Sequence, residues 1–261
     1  MMRPLAELDP GRIRGLFFDI DDTLTSEGRL TADAYAALGR WKAAGKIAVP
    51  ITGRPAGWCD HIARMWPVDA VVGENGAFYF RYDPAARRLE KRFLDDAQTR
   101  AANRARLGAV RDQILAAVPG CAAASDQLYR ETDLAIDFCE DVPALSLEDA
   151  ERIAALMRAA GMTAKISSIH VNGWFGDYDK LGMTRLFARE VLGLDLDRAK
   201  TDFAFAGDSP NDAPMFAYFP NSVGVANVRR FEARLAAKPV YVAESACGAG
   251  FVELVAQLLG T

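Results

Sequence analysis

The sequence predicts an α/β protein: a doubly wound parallel sheet with an α+β module inserted into it. Three features carry that expectation. Short apolar runs recur toward both ends of the chain, at Leu16-Phe17-Phe18, Lys46 to Ile51, Asp69 to Val72, Phe203 to Ala206 and Val223 to Asn227, with helix-period segments between them. Such runs read as buried parallel strands joined by right-handed crossovers. From about Arg81 to Asp177 the rhythm changes to strands of alternating polarity and long amphipathic helices, the pattern of helices packed on an antiparallel sheet. Finally, carboxylates cluster where apolar strands end, at Asp19-Ile20-Asp21-Asp22 and at Asp208 to Asp212, where parallel sheets place ligands. The expected division is residues 1–80 and 178–261 for the core and 81–177 for the insertion.

In chain order, Gly15 to Leu24 comes first. Three carboxylates within four residues repel one another and resist desolvation, so they need a cation, a proton or strong hydrogen bonds. Mg²⁺ would supply the cation, since it takes hard oxygen ligands; a plain acidic turn would read the same way in isolation. Thr31 can cap a helix bearing Tyr35, Leu38 and Trp41 at helical spacing, stopped by Gly45. The strand Lys46 to Ile51 then meets Thr52-Gly53-Arg54-Pro55, a hydroxyl at a strand end beside a glycine that lets backbone approach a ligand. A helix over 56–65 leads to the strand 69–72 and to Glu74-Asn75-Gly76-Ala77. Asn75-Gly76 is a hairpin-turn pair, with Phe78-Tyr79-Phe80 leaving it as a strand.

Within the insertion, Thr99 can open a helix carrying Leu107, Val110, Ile114, Leu115 and Val118 on one face, ended by Pro119-Gly120. Leu128 to Glu140 reads as extended, and Ser146 starts a capping-box helix that Gly161 stops. Two further strands lie near Thr163 to Ile166 and Ile169 to Phe175. His170, Asn172 and Trp174 alternate on the second and share a face opposite Val171; they form either a polar outer face or a set of ligand contacts. The basic run Arg87, Arg88, Lys91 and Arg92 reads as a solvated face. Asp179 can cap the next helix, which Gly193 ends. Lys180 then sits in its first turn, where the helix dipole opposes a cation and favours an anion nearby.

Composition narrows the function classes. With 261 residues and 51% of them apolar, the chain can bury one large core or two moderate ones. A net charge of -4 and a pI near 5.4 argue against nucleic-acid and polybasic membrane binding and favour small solutes. Cys59, Cys121, Cys139 and Cys247 have neither CxxC spacing nor a histidine cluster, which suits free thiols in a reducing cytosol. No signal-length apolar run opens the chain, so a cytoplasmic protein is expected; monomer and dimer are equally compatible.

Taken in order, Asp19-Ile20-Asp21-Asp22-Thr23-Leu24, Thr52-Gly53-Arg54, Lys180 and Gly207-Asp208-Ser209-Pro210-Asn211-Asp212 resemble the four motifs of the haloacid dehalogenase superfamily. Glu74-Asn75-Gly76-Ala77 resembles a signature of its subfamily IIB, the Cof-type sugar-phosphate phosphatases with a large inserted cap, and of the related phosphomannomutases. One departure is that Leu181 stands between Lys180 and Gly182, where family members usually have Lys followed by Gly.

The resemblance implies a Rossmann-like core and a Mg²⁺-dependent phosphatase of small phosphorylated metabolites, foremost sugar phosphates. It implies that Asp19 attacks phosphorus to form an aspartyl phosphate, while Asp21 serves as acid and then base. Mg²⁺ would be held by the Asp19 carboxylate, the Asp21 carbonyl and Asp208, with Asp212 binding metal or holding its waters and Lys180. Thr52 and Lys180 would bind the phosphoryl oxygens. Gly53, Arg54, Asn75, His170, Asn172, Trp174 and Asn211 are expected on the substrate side, Asn75 and Asn211 with structural roles as alternatives. A phosphomannomutase-like mutase and a non-catalytic sugar-phosphate sensor are the rival expectations.

Overall fold

The computed structural model describes residues 2–167 and 169–261. The chain opens with β1 (Arg3–Pro4) and β2 (Gly15–Phe18), then α1 (Ala32–Ala43), β3 (Ile47–Pro50), α2 (Ala56–Met65) and β4 (Val71–Gly73). A hairpin, β5 (Phe78–Asp83) and β6 (Arg88–Phe93), follows. The insertion contains α3 (Ala97–Ala117), β7 (Ala122–Ala123), β8 (Asp133–Asp137), α4 (Leu147–Ala159), β9 (Thr163–Ile166) and β10 (His170–Trp174). The chain closes with α5 (Lys180–Glu190), α6 (Leu196–Ala199), β11 (Phe203–Gly207), α7 (Ala213–Tyr218), β12 (Ser222–Gly224), β13 (Tyr241–Val242) and α8 (Cys247–Leu259).

The core is a parallel sheet in the order β1-β13-β12-β11-β2-β3, extended by an Ile51–Val72 bridge to β4. Its apolar strands are buried on both faces because successive side chains point to opposite sides. Leu16 and Phe18 pack with Leu38 and Trp41 of α1 and Phe251 and Leu254 of α8. Phe17 and Phe205 face the other way, onto Phe187 of α5 and Met215 and Phe216 of α7. Helices on both sides make the sheet doubly wound.

The insertion has its own antiparallel sheet, β7-β8-β10-β9, with α3 and α4 packed on it. Leu134, Ile136 and Val171 meet Ile114, Ile153 and Met157 in that core. The hairpin β5–β6 pairs antiparallel with β4, and Phe78 and Phe80 pack with Cys59 and Ile62 of α2. Residue 81 lies within β5.

Local chemistry explains the helix starts. Thr31, Ser146 and Asp179 cap α1, α4 and α5, the second through a complete capping box with Asp149. Two sequence expectations change. Asp96, not Thr99, caps α3: its Oδ1 accepts from Thr99 N at 2.7 Å, which puts Thr99 inside the first turn. Only Asp133–Asp137 of the segment 128–140 is strand, because Gln127–Tyr129 closes on itself as a 3₁₀ turn with Leu128 93% exposed. Among the described residues no helix is long and apolar enough to cross a membrane.

Candidate active site

Three adjacent strands, β11, β2 and β3, deliver Asp208, Asp19 and Thr52 to one edge of the sheet, because parallel neighbours end on the same side. Lys180, the first residue of α5, reaches into the same place. Its Nζ lies 3.0 Å from Asp19 Oδ1 and 2.7 Å from Asp212 Oδ1. The other Asp212 oxygen accepts from the backbone N–H groups of Asp208 at 3.1 Å and Ser209 at 3.4 Å. Asp208 accepts from Thr23 Oγ1 at 3.4 Å and from Asn227 Nδ2 at 3.0 Å.

Charge does not balance here. Carboxylate oxygens of Asp19, Asp208 and Asp212, all buried, lie within 4.8 Å of one another beside one ammonium group. Burial pushes the Asp19 carboxyl up to about 8, with Lys180 opposing and Asp212 and Asp21 adding to the rise. Burial likewise raises Asp208, helped by the neighbouring carboxylates Asp212, Asp19 and Asp22. Burial alone would lower the Lys180 ammonium, but Asp19 and Asp212 hold it above its ordinary value. Clustered, buried oxygen donors in excess of cationic charge are a chemical fit for a divalent cation such as Mg²⁺.

Around this centre lies a small cavity of about 20 Å³, room for a water but not for a sugar. Asp19, Asp21, Gly53, Arg54 and Asn211 line it from the core, and Arg130, Ser167, Ile169, His170 and Asn172 from the insertion. A wider groove, about 970 Å³ between the α5 region and Lys165, contains none of the clustered carboxylates and is not the chemical centre. Thr52 is buried next to Arg54, whose N–H its Oγ1 accepts at 3.0 Å. Asn211 Oδ1 accepts from Ser209 Oγ at 2.8 Å. Asn75 stands behind Gly53, where its Nδ2 is buried without a hydrogen-bond partner among the described residues. Trp174 is not brought to the cavity: it stacks on Tyr178 at 5.4 Å and donates to the Tyr178 carbonyl.

Arg54, expected on the substrate side, holds Asp21 instead, and Arg130, Glu74 and Asn227 join the site although no site role was expected of them. Arg54 grips Asp21 through Nε at 3.1 Å and Nη2 at 2.9 Å, and also meets Glu140 and Asp126 of the insertion. Arg130 pairs with Asp126 and Asp133 and donates to the Gly53 carbonyl at 2.8 Å. Glu74 accepts from the N–H groups of Ala56, Glu131, Thr132 and Asp133 and from the Thr132 hydroxyl. Burial pushes its carboxyl up to about 7, and Asp133 adds to the rise, while Arg130 and these donors oppose it. Asn227 lies in a 3₁₀ turn, Ala226–Phe231, beyond the strand expected to include it. Unspaced, long-range partners of this kind leave no periodic trace.

Residues 16–103 match the family profile of the haloacid dehalogenase-like hydrolases. Over that segment the chain is similar to this family, and its fold is shared with the solved structures that follow. The structure resembles protein 0175 of Thermoplasma acidophilum at 16% identity and TM-score 0.69, covering 95% of this chain and 99% of that one. It resembles a HAD/COF-like hydrolase of Plasmodium vivax at 14% identity and TM-score 0.66, covering 95% and 96%. It also resembles the sucrose-phosphatase of Synechocystis sp. PCC6803, solved with sucrose and phosphate, at 15% identity and TM-score 0.64, covering 95% and 98%. At these identities the likeness is one of fold. Curated protein sequences yield no match.

Proposed function

We propose that this haloacid dehalogenase-fold protein is a Mg²⁺-dependent phosphatase of a small phosphorylated metabolite, foremost a sugar phosphate. The observation that carries the reading is Lys180 bridging Asp19 and Asp212 beside Asp208. Phosphoryl transfer needs a placed nucleophile and neutralised charge more than it needs covalent chemistry, and this cluster offers both. Asp19 and Asp208 would hold the metal together with the Asp21 carbonyl, while Asp212, occupied by Lys180 and two N–H groups, anchors the set. Bound there, Mg²⁺ would shield carboxylate from phosphate and polarise the phosphoryl group.

In this reading the Asp19 carboxylate attacks phosphorus and the P–O bond to the alcohol breaks. Asp21 gives its proton to the departing oxygen, then takes one from the water that cleaves the aspartyl phosphate. Lys180 and Thr52 bind phosphoryl oxygens. The insertion acts as a cap that excludes bulk water and contacts the leaving group through His170 and Asn172, whose side chains suit hydroxyl groups. The sugar-phosphatase fold neighbour supports a sugar as that group.

The test is phosphate release from a panel of sugar, polyol and glycerate phosphates, with Mg²⁺ and with chelator, by the wild type and Asp19→Asn. Release that requires both Mg²⁺ and Asp19 supports the reading. Isomerised sugar phosphate without free phosphate would replace it with a mutase, and binding without turnover with a sensor.

A further inference from the structure

A guanidinium that touches Asp21 is held from both domains. Arg54 is only 4% exposed, lies against the Trp58 ring at 4.4 Å, and engages both Asp21 oxygens. Its Nη2 is shared: 2.9 Å from Asp21 Oδ1 in the core and 2.7 Å from Glu140 Oε1 in the insertion. Asp126, also in the insertion, stands 3.4 Å from Nη1.

Glu140 is presented to Arg54 by a rigid turn. The Asp137 carboxylate accepts from the N–H groups of Cys139, Glu140 and Asp141 at 2.8 to 2.9 Å, fixing the backbone that follows β8. The second Glu140 oxygen lies 2.9 Å from His170 Nε2, an ion-pair distance without hydrogen-bond alignment. A buried guanidinium gripped on two sides has little freedom, and a carboxylate it grips bidentately has little more. With the insertion lifted away, Arg54 would lose Glu140 and Asp126 and turn toward water, and Asp21 would lose its fixed orientation.

We propose that Glu140 is a positioning residue: seated from the cap, it fixes Arg54, which fixes Asp21, so that the acid–base group is assembled only when the cap is closed. This rests on the phosphatase reading, in which Asp21 protonates the leaving oxygen. The consequence depends on the leaving group. A sugar alkoxide needs that proton to depart, whereas p-nitrophenolate leaves without one.

The experiment compares kcat/KM, which reports the steps through leaving-group departure, for the best sugar phosphate and for p-nitrophenyl phosphate. Glu140→Gln keeps the shape and removes the charge, and Glu140→Asp keeps the charge and shortens the reach. The expected result is that Glu140→Gln loses about tenfold or more on the sugar phosphate beyond any loss on the aryl phosphate, a part of the roughly 10²–10⁴-fold that a placed acid supplies. Glu140→Asp should fall between. Arg54→Ala should show the same selectivity, and the double variant should be no worse than Arg54→Ala alone, since both act through one contact. Equal losses on the two substrates, or additive losses in the double variant, would overturn the positioning role while leaving the phosphatase intact. A wild type that releases phosphate from neither compound would remove both.

Discussion

Asn227 Nδ2 donates to Asp208 Oδ2 at 3.0 Å and to the Asp22 carbonyl at 3.0 Å, while its Oδ1 accepts from Cys247 N at 2.9 Å. One amide thus ties a carboxylate of the acidic cluster to the loop after β2 and to the start of α8. Partners that orient metal ligands are worth about 10–100-fold in metal affinity. Asn227→Ala is expected to weaken Mg²⁺ binding by that order while the protein stays folded. Calorimetric titration of the metal-free protein checks it, and unchanged affinity would show that Thr23 suffices to orient Asp208.

Gly76 governs where Lys180 stands. Its φ is +108°, and a Cβ there would lie 2.0 Å from the Asp179 carbonyl oxygen, directly before Lys180. Gly76→Ala must push that backbone away, costing about 1–3 kcal/mol for the strained conformation alone. The variant should lose kcat at least tenfold, and Asn75→Ala much less. Steady-state kinetics of the pair decides the point, with equal kcat in Gly76→Ala and wild type counting against it.

Glu74 joins the start of α2 to the Glu131–Asp133 segment of the insertion by accepting from donors in both. Glu74→Gln would turn an amide N–H₂ toward N–H groups and leave Arg130 with one fewer counter-charge. The expected loss is about 3 kcal/mol, in the range for breaking a buried charged network. Urea unfolding measures it; a change below about 1 kcal/mol would mean that the network relaxes around the amide.

Glu140 carries a pH signature. Burial alone would raise its carboxyl, but His170 and Arg54 outweigh burial and lower it from 4.5 to about 2. A carboxyl lowered on folding stabilises the protein fully above its unfolded value and loses that contribution as pH falls toward the folded one. The wild type should therefore be more stable than Glu140→Gln at pH 6, with the gap shrinking between pH about 4.5 and 2. Thermal melts across that range test it, and a pH-independent gap would refute the assignment.

Much of this protein was legible because its signals are local. The apolar runs at Leu16 to Phe18 and Phe203 to Ala206 and the caps Thr31, Ser146 and Asp179 follow from nearest neighbours and short periods, and the motif carboxylates Asp19, Asp208 and Asp212 from the resemblance of short contiguous motifs. Parallel strands that end on one side then bring the motifs together. Two local readings went astray for local reasons: Asp96 outcompetes Thr99 as a cap, and the turn at Gln127–Tyr129 interrupts an otherwise extended segment.

What the sequence alone determined is the chain's chemistry and architecture: a doubly wound α/β sheet, an α+β insertion, and acidic groups gathered at strand ends. Only the tertiary structure decided how the two parts address each other. Arg54 meets Glu140 across 86 positions and Glu74 meets Thr132 across 58. Trp174, on the strand face that alternation assigned to it with His170 and Asn172, is covered there by Tyr178. Period-two geometry assigns a side chain to a face of its strand, but the partner covering that face comes from packing between distant segments, where no local rule operates.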